Sequence, residues 1–307
     1  MKFREIGWVR QLERFLRSVY LWDTTVSLYH VLSILWKKII TFDIDQRAAA
    51  VSFSLLLAIF PSVIFLFTLI PYIPIRNLDV QIMDFLESIL PGGIYNTAAN
   101  TIQDIVSRRR VDVLSFGFLF AMYAATNGMM ALMRAFNIAL EDDRQRRSYL
   151  KARGIALLLT VSLVVVMLSA IVVLIIGKFL ISYLFDLGWM SEDFNFYMIQ
   201  ILRYLSIFLI FFLGISSLYY FAPAIDRKIR FFNIGAFFSS ILCILATNGF
   251  SYYLSNFNSY NKLYGSIGTL IGLMVWIYLI ALIIILGFEI NTSLRLALEM
   301  EHEDEKS

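Results

Sequence analysis

The sequence predicts an all-α polytopic membrane protein, a bundle of six transmembrane helices. Three observations carry that expectation. Hydrophobic residues fill 59% of the 307 positions and charged residues only 16%, whereas a soluble domain carries about 25% charged residues. The mean hydropathy of +0.73 leaves more apolar surface than a soluble core of this length can hide, so lipid must solvate part of it. Six apolar runs are each long enough to span, and the basic residues crowd toward one end of them.

The runs cover 48–70, 113–135, 155–176, 204–222, 233–254 and 267–288. Each is close to the ~20 residues that a helix rising 1.5 Å per residue needs to cross ~30 Å of hydrocarbon. They are continuous rather than alternating, which argues against barrel strands. Together they define a transmembrane domain over 45–298, preceded by residues 1–44 and followed by an acidic tail, 299–307.

Orientation follows from lysine and arginine. Nineteen of the 26 fall before the first run, at the end of the second or between it and the third, between the fourth and fifth, or after the sixth. The other side holds seven: Arg76, Arg108, Arg109, Arg110, Lys178, Arg203 and Lys262. Positive charge marks the cytoplasmic side of such proteins. Both termini are therefore expected in the cytoplasm, with Arg108–Arg110 as a local exception. No short apolar core with a small-residue cleavage site opens the chain, so a removable signal peptide is not expected.

Residues 1–44 read as an amphipathic helical segment too charged to span. Phe3, Ile6, Val9, Leu12, Leu16 and Val19 recur at helical spacing, with Arg10, Arg14 and Arg17 on the other face and Trp8, Trp22 and Trp36 as amphipathic rings. Such a segment lies in the cytoplasmic interface among anionic head groups, or docks on the bundle as a solvated helix. The connection 71–112 is too long for a plain turn. Its apolar faces, around Ile82–Leu90 and Ile94–Ile105, flank Pro91-Gly92-Gly93 and predict a short two-helix external segment. That segment caps the bundle, lies on the leaflet or dips into it.

Polar groups inside hydrocarbon are expensive and are the first candidates for function. Asn127 sits with Thr126 in the second run, and Asn248 with Thr247 in the fifth. They differ in depth by about 10 Å, so each is expected to bond a nearby backbone carbonyl, or else to belong to a polar path. Arg47 opens the first run and Glu289 closes the sixth, both at the cytoplasmic boundary. They form a charge pair that Asp43, Asp45 and Asn291 are near enough to join, or else serve as snorkelling end-caps. Pro61 should kink the first run. Gly268 and Gly272, four apart and preceded by Gly265, suit close helix packing, within one chain or at a dimer seam. Tyr219, Tyr220 and Pro223 mark a helix end at the interface.

Enzymatic motifs are not found. His30 and His302, the only histidines, belong to no metal-ligand spacing, and the single cysteine, Cys243, lies in an apolar run. No phosphate-cradling glycine loop occurs. The short basic loops suit topology better than nucleic-acid recognition, which needs a coherent basic surface. No cofactor, no metal and no catalytic residue are expected.

Two motifs carry a family resemblance. Asp45-Gln46-Arg47-Ala48-Ala49-Ala50-Val51-Ser52-Phe53, with Pro61 downstream, resembles the first span of the YihY/BrkB family. Leu263-Tyr264-Gly265-Ser266-Ile267-Gly268, followed by Trp276, Tyr278, Gly287, Glu289 and Asn291, resembles that family's closing span. The likeness runs from about Trp36 to Leu298 and implies a bacterial cytoplasmic (inner) membrane protein of six helices. Members have been labelled virulence factors, envelope-integrity proteins and, in an older naming, ribonuclease BN. RNA hydrolysis would need metal-binding carboxylates or a histidine acid and base, for which the sequence offers no pattern.

Two functions are consistent with these features. One is a transporter or flippase-like protein for a lipid or other amphiphile. The other is a non-transporting envelope-integrity factor that organises lipids or protein partners. Membrane lipids are the expected partners in both, with a homo-oligomer or an envelope protein as further candidates.

Overall fold

The computed structural model describes residues 27–41, 43–72, 111–140, 147–186, 192–225, 229–256 and 266–304, together with a few isolated positions. Its helices are α1 (Leu28–Thr41), α2 (Ile44–Leu69), α3 (Val111–Ile138), α4 (Tyr149–Asp186), α5 (Glu192–Phe221), α6 (Ile234–Asn256) and α7 (Ser266–Asp304), with a 3₁₀ turn Ile70–Tyr72 after α2. Six of them, α2 to α7, are long and apolar enough to cross a membrane. The chain is an all-α polytopic membrane protein. The external two-helix segment within 71–112, and most of the amphipathic segment before residue 27, lie outside the described residues.

Each spanning helix packs on the next in sequence, and α7 closes back on α2, so the six form a ring. Consecutive spans run in opposite directions, which gathers the starts of α2, α4 and α6 and the ends of α3, α5 and α7 at one end. That end carries Arg47, Arg147, Arg153 and Arg230, and is called the basic end below.

The packed core belongs to the basic half. Ile44, Ala48 and Val51 of α2 meet Met133 and Phe136 of α3, Leu159 of α4, Tyr219 of α5, Ala236 and Cys243 of α6, and Ile285 and Phe288 of α7. Phe136 and Phe288 stack at 4.4 Å, and Tyr219 meets the Phe136 ring edge-on at 5.6 Å. Such contacts each contribute about 0.5–1.5 kcal/mol beyond area burial. Farther along α4, Val164, Val165, Leu168, Val172 and Ile176 are exposed, as a lipid-facing surface should be.

Each expected run coincides with one long helix, and several helices overrun it. Helix α4 has 38 residues and α7 has 39, well beyond the ~20 that cross hydrocarbon. The tail expected from 299 continues α7 as helix through Asp304, with Arg295 and Glu299 paired at 2.8 Å. Pro61 is buried inside α2 without ending it. Tyr219, expected at an interface, is fully buried in the core. Its ring fills the space between α3 and α7, and its hydroxyl donates to the Ile284 carbonyl at 2.6 Å.

Helix α1, the described end of the first segment, packs on α7 through one face. Val31 and Ile34 dock on Leu294, Ala297 and Leu298 of α7. Leu32, Trp36 and Ile40, four apart on another face, stay exposed. The turn into α2 is tight, with Asp43 at φ 42°, a left-handed conformation that aspartate tolerates better than most residues.

Candidate functional site: a buried charge cluster and an adjoining groove

At the basic end, Arg47 stands on the second turn of α2 and Glu289 on α7. Arg47 Nη2 lies 2.7 Å from Glu289 Oε1, and its Nη1 donates to the Ala135 carbonyl at 2.8 Å. From α1, Lys38 Nζ reaches Thr292 Oγ1 and the Ala139 carbonyl, both at 3.2 Å, and lies 3.8 Å from Glu289 Oε2. Thr292 Oγ1 is 3.3 Å from that same oxygen. Glu289 has no exposed surface, and Arg47 and Lys38 are buried.

Two cations around one carboxylate leave a net positive charge, and buried charge is costly unless compensated. Compensation comes from the end of α3. Its unpaired terminal carbonyls carry the negative end of the helix dipole, and Ala135 and Ala139 supply two of them. Four helices, α1, α2, α3 and α7, therefore meet on one polar knot.

The other helix ends nearby are treated alike. Arg147 donates to the carbonyls of Phe221, Ala222 and Pro223 where α5 ends; burial lowers its pKa from the ordinary value, and it stays charged. Asn137 Oδ1 accepts from the Ala224 amide at 2.9 Å. At the start of α6, Asn233 caps the helix by accepting from the Ala236 amide, and Asn291 accepts from the Gly235 amide, both at 2.8 Å. Lys38, Arg47 and Arg147 thus all serve helix ends.

The sequence candidates separate in the structure. Arg47 and Glu289 come together. Asn127 instead accepts from Arg153, whose guanidinium also lies 4.5 Å from the Tyr123 ring. Asn248 is exposed on α6 and joins nothing, because depth along a helix says nothing about which way a residue faces. Asp43 and Asp45 are exposed rather than in the cluster, and Asn291 serves the α6 cap. Thr247 donates to the Cys243 carbonyl and accepts from Trp276 Nε1. Gly265 lies outside the described residues; Gly268 is in the first turn of α7, and Gly272 is buried on the same helix.

Among the described residues, backbones approach closely at Gly235 and Gly287. A Cβ on Gly287 would collide with Ser239 Oγ, Tyr219 Oη and the Gly235 carbonyl, and one on Gly235 would strike the Gly287 carbonyl and the Asn291 side chain. These glycines lack the four-residue spacing within one helix that would have flagged them. Lys38 was equally hidden, since its partners are more than a hundred residues away. Among the described residues, no three His, Cys, Asp or Glu side chains gather as a metal site.

Between α2 and α7 the seam then opens. A groove of about 300 Å³ is lined by Ala49, Ser52, Phe53 and Leu56 on one side and by Met274, Val275 and Tyr278 on the other. Its walls are almost wholly apolar, and it faces the lipid side of the ring, where Phe53, Met274 and Val275 are exposed.

Ring, groove and buried cluster define a polytopic helical membrane protein with a sealed polar knot and a lateral apolar opening. Its family follows from sequence comparison: the family model described as virulence factor BrkB matches residues 35–307, and the chain belongs to that YihY/BrkB family. A relative in Bacillus subtilis (strain 168), YfkH, named as ribonuclease-like, is 32% identical over 81% of this chain and 90% of its own length. A UPF0761 membrane protein of Psychromonas ingrahamii is 24% identical over 92% and 93% of the two chains. The UPF0761 membrane protein YihY of Shigella sonnei is 34% identical over 40% of this chain and 44% of its own. No solved structure matches the chain.

Proposed function

We propose that this protein moves a lipid or other amphiphile across or within the bacterial cytoplasmic membrane, as a transporter or flippase-like protein with both termini in the cytoplasm. One observation carries the reading: the seam between the first and last spans is pinned at its basic end by Arg47–Glu289 and then parts into a groove open to lipid. A bundle built only for stability would close that seam with packed side chains. The sequence shows no nucleotide-binding loop, so movement would be passive, gradient-coupled or driven by a partner. The test is reconstitution of the pure protein into vesicles holding labelled lipids of several head groups. Transfer faster than in protein-free vesicles is expected; equal rates for every head group would overturn the reading.

A second reading, an envelope-integrity factor that organises lipids or partner proteins without transport, is favoured by the closure of the cluster. Glu289 has no exposed surface, so the knot offers a polar head group no way through in this conformation. Under that reading, changes at Glu289 act only through stability. We do not read the chain as an enzyme; the ribonuclease-like name belongs to the Bacillus relative. RNA cleavage by the purified protein, lost on substitution of its own acidic residues, would reverse this.

A further inference from the structure

We propose that the α2–α7 groove seats one acyl chain of a lipid in the leaflet at the basic end, and that Asp45 at its mouth favours a head group bearing an ammonium. This deepens the lipid-handling reading by naming the lipid class and the leaflet.

Depth comes first. Ala49 lies five residues into α2 and Leu56 twelve. At 1.5 Å per residue the groove therefore runs from about 7 to about 18 Å beyond the helix start. One leaflet occupies roughly 15 Å of a ~30 Å hydrocarbon core. Most of the groove is thus placed where one chain of that leaflet stands, from below the head-group boundary to about the midplane.

Its chemistry agrees. Ala49, Ser52, Phe53 and Leu56 follow the i, i+3, i+4, i+7 spacing of one helix face. Ser52 is the only hydroxyl on that face, and its proton goes to the Ala49 carbonyl at 2.8 Å; Tyr278 on the α7 wall brings the groove's other hydroxyl. Water needs two to four polar partners to occupy a cavity, and the groove offers few. An empty groove forfeits dispersion contacts along its whole lining. Hydrocarbon is the occupant that restores them, and the volume of about 300 Å³ suits one chain rather than a whole lipid, standing at the small end of ligand pockets.

The head group is selected at the mouth. One turn before Ala49 on the same face stands Asp45, exposed and in none of the ion pairs among the described residues. The cations nearest in sequence do not serve it. Arg47 and Lys38 turn inward to Glu289, and Lys37, exposed on α1, is not paired with it. A carboxylate at the head-group level repels a purely anionic lipid and attracts one whose head group ends in an amine.

The experiment uses the full chain in vesicles of phosphatidylethanolamine and phosphatidylglycerol, with a trace of either lipid carrying a photoreactive acyl chain. After illumination, labelled peptides are mapped by mass spectrometry. With the ethanolamine probe, label on 49–56 and 274–278 should exceed that on the exposed face of α4 (Val161–Leu168) several-fold, and the glycerol probe should label the groove less. Ser52→Trp should fill the groove and remove its label, and Asp45→Asn should bring the two probes level. If Ser52→Trp does not fold, judged by gel filtration, Val275→Trp fills the same space from the other wall.

Even labelling of the groove and α4 would overturn the acyl-chain site. Equal wild-type labelling by the two probes, or a preference untouched by Asp45→Asn, would overturn the head-group assignment. A labelled groove in vesicles that move no lipid would sink the transport reading and leave the site standing. Lipid movement that persists in Ser52→Trp after groove label is lost removes the site from the path and leaves transport standing.

Discussion

Helix α7 meets its two neighbours in opposite ways. Against α6 it leaves no room for a methyl group: Gly287 and Gly235 bring the backbones together, and Asn291, Asn233, Ser239 and Tyr219 stitch them with hydrogen bonds. Against α2 it is held by Arg47–Glu289 at the basic end and then stands off around a groove. Without a hydrophobic drive between helices in lipid, close packing and interhelical hydrogen bonds decide which seams hold. The α6–α7 seam has both over several turns. The α2–α7 seam concentrates its polar bonding at one level, so α2–α7 is the seam built to part and α6–α7 the one built to stay.

Removing that pin should give the largest effect. Glu289→Gln keeps the shape but leaves the Arg47 and Lys38 charges buried without their carboxylate. Breaking one side of a buried pair costs about 3–5 kcal/mol, so the thermal unfolding midpoint in detergent should fall sharply and little folded protein should be recovered. Exchanging the two charges should rescue only in part. Arg47 also donates to the Ala135 carbonyl, and a carboxylate placed there would face that oxygen. Full recovery in the double exchange would mean that the α3 terminus contributes nothing to the knot.

The tight seam gives the next effect. Gly287→Ala puts a methyl group into Ser239 Oγ and Tyr219 Oη; overpacking of this kind costs typically about 1–3 kcal/mol. Gly249→Ala is the control, because nothing stands within 4 Å of its Cβ position. If the two lower the unfolding midpoint equally, the α6–α7 seam is no tighter than the rest of the bundle. Tyr219→Phe tests the stitching separately from the packing. It keeps the ring against Phe136 and Phe288 and loses the bonds to the Ile284 carbonyl and to Ser239 Oγ, so at about 0.6 kcal/mol per bond a smaller loss of about 1 kcal/mol is expected.

What could be read from the sequence divides along the same line. Spans and their order follow from run length and composition, because hydrocarbon demands continuous apolar helix whatever the partners are. Arg47 and Glu289 could be paired on paper because each sits at the boundary end of an identifiable span. Lys38, Asn233 and the Gly235–Gly287 contact could not, since each is defined by a residue on another helix and by rotation about the helix axis. Those rotations are weakly encoded here: α4, α6 and α7 are apolar nearly all round, so no stripe marks the inner face. Asp45 shows the same gap, as only the fold leaves it exposed and outside the cluster.

Asn248 should give the smallest effect, and it separates a polar path from an outer surface. The residue is exposed on α6, on a helix whose sealed contact with α7 is made nearer the basic end, at Gly235 and Ser239. Asn248→Leu removes an amide from hydrocarbon, which is favourable for a lipid-facing position, and breaks no bond of the cluster. The unfolding midpoint should stay level or rise slightly, and lipid transfer in vesicles should be unchanged. A loss of transfer with stability intact would put Asn248 on the route the substrate takes. The moving surface would then include α6, and the division between a fixed α6–α7 seam and a parting α2–α7 seam would fail.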